Sequence, residues 1–287
     1  MISVYGVKRK NPARSAAVYC ILILFTIWTL VPVIWAGITA FKEPGDSLKP
    51  TFIPFKQFKP TLYAWNEAFV TQGDRTLKSI KNSIIISTVS SAASLLLGAL
   101  AGYSLARFRF KRWKNKDIAL WILSNRMFPP VAVLIPYFLI MQKLHLLDHI
   151  LAIIIIHITM NLPLAVWLML DFFTDLPKSI EEAAMIDGCG HFRAFFRIAV
   201  PIAAPGLVAV YVLSFIFSWN EFLFIIIFGY QNAMTLPVMI AGALTVVGIY
   251  FYRIAALSLL AIIPPVVLAL VLSRYLVRGL TMGAIKE

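Results

Sequence analysis

Ionisable and amide side chains inside long apolar stretches are the first candidates for chemistry, because hydrocarbon makes each such group costly. Trp219, Asn220 and Glu221 follow one another in one stretch. An indole, an amide and a carboxylate stack on sugar rings and bind sugar hydroxyls, and the same groups can instead join helices or pair with a cation. Arg126 stands in another stretch. On insertion scales it costs about 2.5–3.5 kcal/mol near a helix centre, while roughly ten aliphatic neighbours return about 4, so its segment depends on a surrounding bundle. Arg126 then either faces a water-filled path, snorkels to an interface or pairs with a carboxylate such as Glu221. His157 and Asn161 lie four apart in a third stretch, where an asparagine commonly ties helices together. His145 and His149 bracket Asp148, a ligand set too thin for a metal, and Cys20 and Cys189 can build neither a disulfide framework nor a zinc site.

A different kind of signal lies in the polar stretch Leu176 to Gly206. Pro177 suits the first turn of a helix, and Ser179 with Glu182 three residues on fits a capping box. Ile180, Ala183, Ala184 and Asp187 then share one slim face, and Gly188 or Gly190 ends the helix in the left-handed conformation. Such a helix is too short to cross a bilayer. It is either an interfacial connector or a face shaped for a cleft in another protein.

These residues must be positioned by membrane helices. Of 287 residues 60% are hydrophobic and 14% charged, with a mean hydropathy of +0.84, more apolar surface than a soluble fold can bury. About 20 apolar residues span a bilayer, and six segments qualify: 15–41, 82–106, 118–142, 150–170, 204–228 and 254–273. The expectation is one all-α transmembrane domain with six helices and a short cytoplasmic helix in the loop 171–203. Residues 1–14 and 274–287 form the ends, and 42–81 and 229–253 form loops on the other side. The first span is too long for a cleaved signal peptide. Gly98 and Gly102 allow the second to approach another helix closely, and Arg126, Pro129, Pro130 and Pro136 interrupt the third. Sixteen of the 26 basic residues fall on the side of the two termini, which places both ends in the cytoplasm. The net charge of +13 therefore reads as topology and contact with membrane lipid, with no nucleic-acid partner. The first outer loop, with seven basic and four acidic residues, would suit an anionic oligosaccharide or lipid headgroups.

Glu182-Ala183-Ala184, Gly188 after three residues, Ile198 after nine more and Val200-Pro201 resemble the EAA motif of ABC-importer permeases, with Val200 where the pattern has Leu. Asn82-Ser83, Ala106-Arg107-Phe108, Phe128-Pro129, Ile135-Pro136, Trp219-Asn220-Glu221-Phe222 and the tail Gly279 to Lys286 are similar, in order, to the carbohydrate-uptake branch with maltose-type six-span permeases. The resemblance covers nearly the whole chain. It implies a non-catalytic subunit in a bacterial or archaeal cytoplasmic membrane, partnered by a second and different permease, two ATP-binding subunits and a solute-binding protein. It also implies that Glu182, Ala183, Ala184, Asp187 and Gly188 dock in the ATPase. Arg126, Asn161, Trp219, Asn220 and Glu221 are the expected path, and Gln231, Asn232, Met234, Thr235 and Leu236 meet the binding protein. ATP and magnesium belong to the partner, and no cofactor is expected here: the chain has no Gly-Lys dipeptide for a phosphate loop and no H-E-x-x-H. The competing class is a proton-coupled secondary transporter, which also carries intramembrane Glu and Arg and broken helices.

Overall fold

The computed structural model describes residues 12–245 and 248–282. The basic run Lys8 to Lys10 and the last five residues of the tail lie outside the described residues. The order is α1 (Pro12–Thr39), α2 (Pro44–Ser47), α3 (Tyr63–Asn66, running on through a π-helical turn, Glu67–Thr71), α4 (Gly73–Arg107), α5 (Asn115–Ser124, closed by the 3₁₀ turn Asn125–Met127) and α6 (Pro130–Lys143). Then come α7 (Ile150–Asp175), α8 (Lys178–Ile186), α9 (His191–Ala194, followed by the π-helical turn Phe195–Ala199), α10 (Val200–Ile202), α11 (Ala204–Trp219), α12 (Leu223–Phe228) and α13 (Leu236–Ala241). A two-stranded antiparallel hairpin, β1 (Leu244–Thr245) and β2 (Gly248–Ile249), precedes α14 (Phe251–Met282).

Four stretches are long and apolar enough to cross a membrane: Ser15–Thr39, Gly73–Arg107, Ile150–Asp175 and Phe251–Ser273. Two bent pairs raise the number to six, Asn115–Met127 with Pro130–Lys143 at 91° and His191–Ile202 with Ala204–Trp219 at 79°. Three departures from the sequence reading have local causes. Helix α4 starts at Gly73, nine residues before the expected Asn82, because the polar turns that precede the apolar stretch contain nothing that breaks a helix. The third segment is two helices, because Pro130 has no N–H to continue a ladder and opens α6 while Phe128 is extended before Pro129. The fifth is also split, since α11 ends at Trp219 and α12 begins only at Leu223.

The spine of the bundle is α4 against α7. Ser83, Ser87, Ser90, Ser94, Gly98 and Gly102 form a buried stripe along α4, small enough for the backbones to meet. A methyl group on Gly98 would lie 2.6 Å from Ala165 Cβ, and one on Gly102 would lie 2.7 Å from the Leu170 nitrogen. The serine hydroxyls find acceptors within the helix, as in Ser87 to the Ser83 carbonyl at 2.7 Å and Ser90 to that of Ile86 at 2.6 Å. Helix α1 leans on the rest only at its end, where Ala36 and Ala40 pack with Tyr252, Ala255 and Ala256. Its side chains from Ala16 to Ile34 are exposed.

Candidate functional site

The polar helix of the 171–203 loop is α8, and its capping differs from the expected box. Pro177 is the N-cap, no side chain caps the first turn, and Ser179 and Glu182 both point outward. Its C-terminus follows the reading at Gly188. That residue has φ +85°, its N–H donates to Met185 O at 3.0 Å, and the N–H of Cys189 donates to Ala184 O at 3.0 Å. This is the Schellman arrangement that favours glycine at that position.

The helix is rooted by Glu181, the neighbour of the expected Glu182. Glu181 is 3% exposed. Its carboxylate receives Arg107 Nη2 at 2.7 Å, Arg107 Nε at 2.9 Å and the Tyr103 hydroxyl at 2.6 Å. Arg107 also donates to the carbonyls of Phe173 at 2.7 Å and Leu176 at 3.3 Å. The ends of α4, α7 and α8 therefore meet at one buried ion pair, under a cluster of Tyr103, Phe173 and Phe195. Buried charges persist only when paired and hydrogen-bonded, and here both partners are.

With Glu181 turned in, Glu182, Ala183, Asp187 and Gly188 are exposed and Ala184 is half-buried. Ile186 at the end of α8 and Phe192 on α9 are also exposed, at 88% and 74%. The four-residue face read from sequence contains neither. Their signal was an apolar residue on each side of a polar helix end.

The expected path residues divide. Arg126, Asn161 and Glu221 line one cavity of 620 Å³, with Trp121, Tyr137, His157, Phe217 and Ser218 among the other walls. The guanidinium of Arg126 lies over the Phe217 ring at 4.8 Å. No carboxylate pairs with it among the described residues, so the alternative of an Arg126–Glu221 pair does not describe this chain. Glu221 accepts from the backbone N–H groups of Phe224 at 3.0 Å and Ile225 at 3.3 Å, which stabilises the restart of the helix at α12. Its other neighbour is His157 Nε2 at 3.5 Å, on a ring only 1% exposed with neither nitrogen hydrogen-bonded. Asn161 donates to Ser218 Oγ at 2.8 Å, and Ser218 meets Ser90 Oγ at 3.0 Å, so this asparagine ties α7, α11 and α4 together at the cavity wall.

Trp219 is a correction, and Asn220 lies outside this cavity. Trp219 is 2% exposed, stacks on Phe215 at 5.7 Å and donates Nε1–H to Ala261 O at 3.1 Å, away from the cavity. That carbonyl lost its helical donor because residue 265 is proline. Asn220 folds back on Ile216 O at 2.9 Å as the end of α11. Both therefore serve the helix break and neither lines this cavity, Trp219 being buried and Asn220 exposed outside it.

The segment expected to meet a binding protein is pinned from below. Asp148 accepts from the backbone of Gln231 at 2.9 Å, Asn232 at 2.8 Å and Ala233 at 3.2 Å, and from the Asn232 side chain at 3.0 Å. Asn82 donates to the carbonyls of Asn232 and Met234, both at 2.9 Å, and Leu236 N–H donates to Ser83 Oγ at 2.9 Å. Thr235 and Leu236 are buried, and Met234 is half-buried, because this strand of chain packs on α4. Only Gln231, Asn232 and Tyr230 face out. Asp148 is thus a clasp, and no metal-sized cluster of His, Cys, Asp and Glu occurs among the described residues.

Burial alone would raise the Asp148 carboxyl, but its four donors outweigh that and hold it below the usual carboxylate value. The clasp then contributes fully above the unfolded value, about pH 3.9, and is lost as pH falls through the lower folded value. Asp148→Asn is expected to loosen residues 229–235 by about 1.5 kcal/mol, a roughly tenfold rise in their amide exchange at neutral pH. Unchanged exchange there would show that Asn82 and Ser83 hold the segment alone.

The comparisons with known proteins fit this geometry. Residues 94–282 match the family described as binding-protein-dependent transport system inner membrane component. The chain is 35% identical to the inner membrane ABC transporter permease protein YcjP of Escherichia coli, over 96% of this chain and 98% of that one. It is 34% identical to the trehalose/maltose transport system permease protein MalG of Thermococcus litoralis, over 92% and 94%. A solved bacterial ABC transporter involved in the import of the acidic polysaccharide alginate contains a chain of the same fold, with TM-score 0.73, 20% identity and coverage of 96% and 100%. The chain belongs to the family of inner membrane components of binding-protein-dependent transport systems.

Proposed function

We propose that this chain forms half of the translocation path of an ATP-driven importer for an oligosaccharide delivered by a solute-binding protein. The observation that carries the reading is α8: its root is locked to α4 by the buried Glu181–Arg107 pair, while Glu182, Ala183, Asp187 and Gly188 are exposed. Closure of an ATPase around that face would move α4 and α7 as a unit, since their ends share the ion pair. Two ATP-binding subunits would sit at this end, which the charge bias assigns to the cytoplasm with both termini. A second, different permease would complete the path and cover the bare side of α1. ATP and magnesium would be bound by the partner and not by this chain.

A sugar as cargo fits the trehalose and maltose relative and a cavity that mixes an amide, a carboxylate, a guanidinium and aromatic rings. An anionic oligosaccharide is the finer reading, supported by the unpaired Arg126. Fewer outer-loop cations support it than the sequence suggested. Lys42 is buried over Trp35 at 4.6 Å, Lys49 pairs with Asp46 at 2.8 Å and Lys78 bonds Asn232 at 2.9 Å. Equal transport of neutral and acidic oligosaccharides would exclude the anionic reading.

Gly188→Val tests the docking role. At φ +85° a β-branched residue is strained, so α8 should lose its C-terminal turn. The variant is expected to insert normally but to retain at least tenfold less ATPase subunit on purification, with coupled uptake lost. Normal coupled transport would refute the docking assignment. The buried His157–Glu221 contact at 3.5 Å is the observation that favours a proton-coupled transporter instead. Uptake that survives a collapsed proton gradient but stops without ATP would eliminate that second reading.

A further inference from the structure

We propose that the turn joining α4 to α5 is a binding site for an anionic phospholipid, its headgroup held by the turn's cations and its acyl chain by the aromatic groove beside them. The turn runs from Arg107, the last residue of one candidate span, to Asn115, the first of another, which sets it where two span ends reach the bilayer surface. A groove of 330 Å³ opens there, lined by Phe110, Arg112, Trp113, Ile118 and Trp121. Trp113 and Trp121 are 57% and 63% exposed. Tryptophan is enriched at this depth of a membrane because its ring is apolar and its N–H polar.

Charge complementarity selects the occupant. Arg109, Lys111, Arg112, Lys114 and Lys116 are all exposed, and none has an ion pair among the described residues. The sixth cation, Arg107, is committed to Glu181. Asp117 is the only acid between residues 107 and 117. Basic residues next to a span end attract anionic headgroups. The turn is also a built surface: Asn115 donates to Leu105 O at 2.6 Å and Phe108 O at 2.5 Å and accepts from Phe110 N at 3.2 Å. An acidic protein surface would satisfy the cations but leave three aromatic walls without an apolar partner, whereas a phospholipid satisfies both. The inference rests on the chain lying in a bilayer and not on what it transports.

The test uses the full chain, purified with the subunits it retains, in nanodiscs of phosphatidylcholine with increasing phosphatidylglycerol. Native mass spectrometry should find phosphatidylglycerol retained over phosphatidylcholine, and Arg112→Gln with Lys114→Gln should weaken that retention by roughly thirtyfold, as expected for two surface cations. Brominated phosphatidylglycerol should quench a tryptophan component that disappears in Trp113→Phe, a measurement that stands even if the double variant fails to fold. Equal retention of the two lipids, unchanged retention in the folded double variant, or no quenching assignable to Trp113 would overturn the proposal. So would loss of an ATPase subunit from the double variant with lipid retention intact, which would make the turn a protein interface.

Discussion

Glu181→Ala is expected to abolish coupled transport while leaving the chain in the membrane, and to cost about 3–5 kcal/mol of stability at the end of the bundle where α8 is rooted. The cost comes from what stays behind. Arg107, its side chain 8% exposed, would keep its bonds to the Phe173 and Leu176 carbonyls but lose its counter-charge, and the Tyr103 hydroxyl would lose its acceptor. A buried charge without a partner is the expensive state. Arg107→Ala should therefore be nearly as harmful, and the double variant much less harmful than the two losses added. Glu181→Leu with Arg107→Met, which replaces the pair by apolar volume, should recover the unfolding midpoint without recovering coupling if the pair's role is to hold α8 at a set angle. A Glu181→Ala protein with wild-type midpoint and uptake would mean that packing of Phe195 under Tyr103 and Phe173 positions α8 unaided.

Gly102→Val is the second large effect. The added side chain would start 2.7 Å from the Leu170 nitrogen and 2.9 Å from the Met169 carbonyl carbon, both backbone atoms of α7 that no rotamer change can move. Overpacking costs about 1–3 kcal/mol where neighbours can yield, so the upper end or more is expected here. The displacement would reach Tyr103 and Arg107, within the next turn and a half of α4, so coupling should fail together with stability. Gly37→Ala is the control: nothing lies within 4 Å of the added carbon, and the midpoint should stay or rise slightly. Equal damage from both variants would mean that loss of a glycine as such, and not the α4–α7 contact, lowers stability.

The residues themselves determined the membrane class, the small-residue approach of α4, the short polar helix with its glycine end and the family, because each is carried by local composition or by spacing along one element. Gly98 and Gly102 could be read this way, and the helix end to within Gly188 or Gly190, since a close approach or a left-handed turn favours glycine whatever the surroundings; the structure selects Gly188. Roles that depend on which side chain faces which neighbour were decided by the tertiary structure alone. Glu181 and Glu182 are adjacent and chemically alike, and only the position of Arg107, 74 residues away along the chain, selects one as the buried root and leaves the other outside. Trp219 and Glu221 sit two residues apart, yet a proline pair on α14 draws one into a helix contact while the break after α11 turns the other toward the cavity. Asp148 gave no sign of being a clasp, because its donors lie more than eighty residues further on. Hydrogen-bond partners brought together by helix packing leave no local pattern, and that is why the chemistry of this chain was legible as a list of residues before the fold assigned each its role.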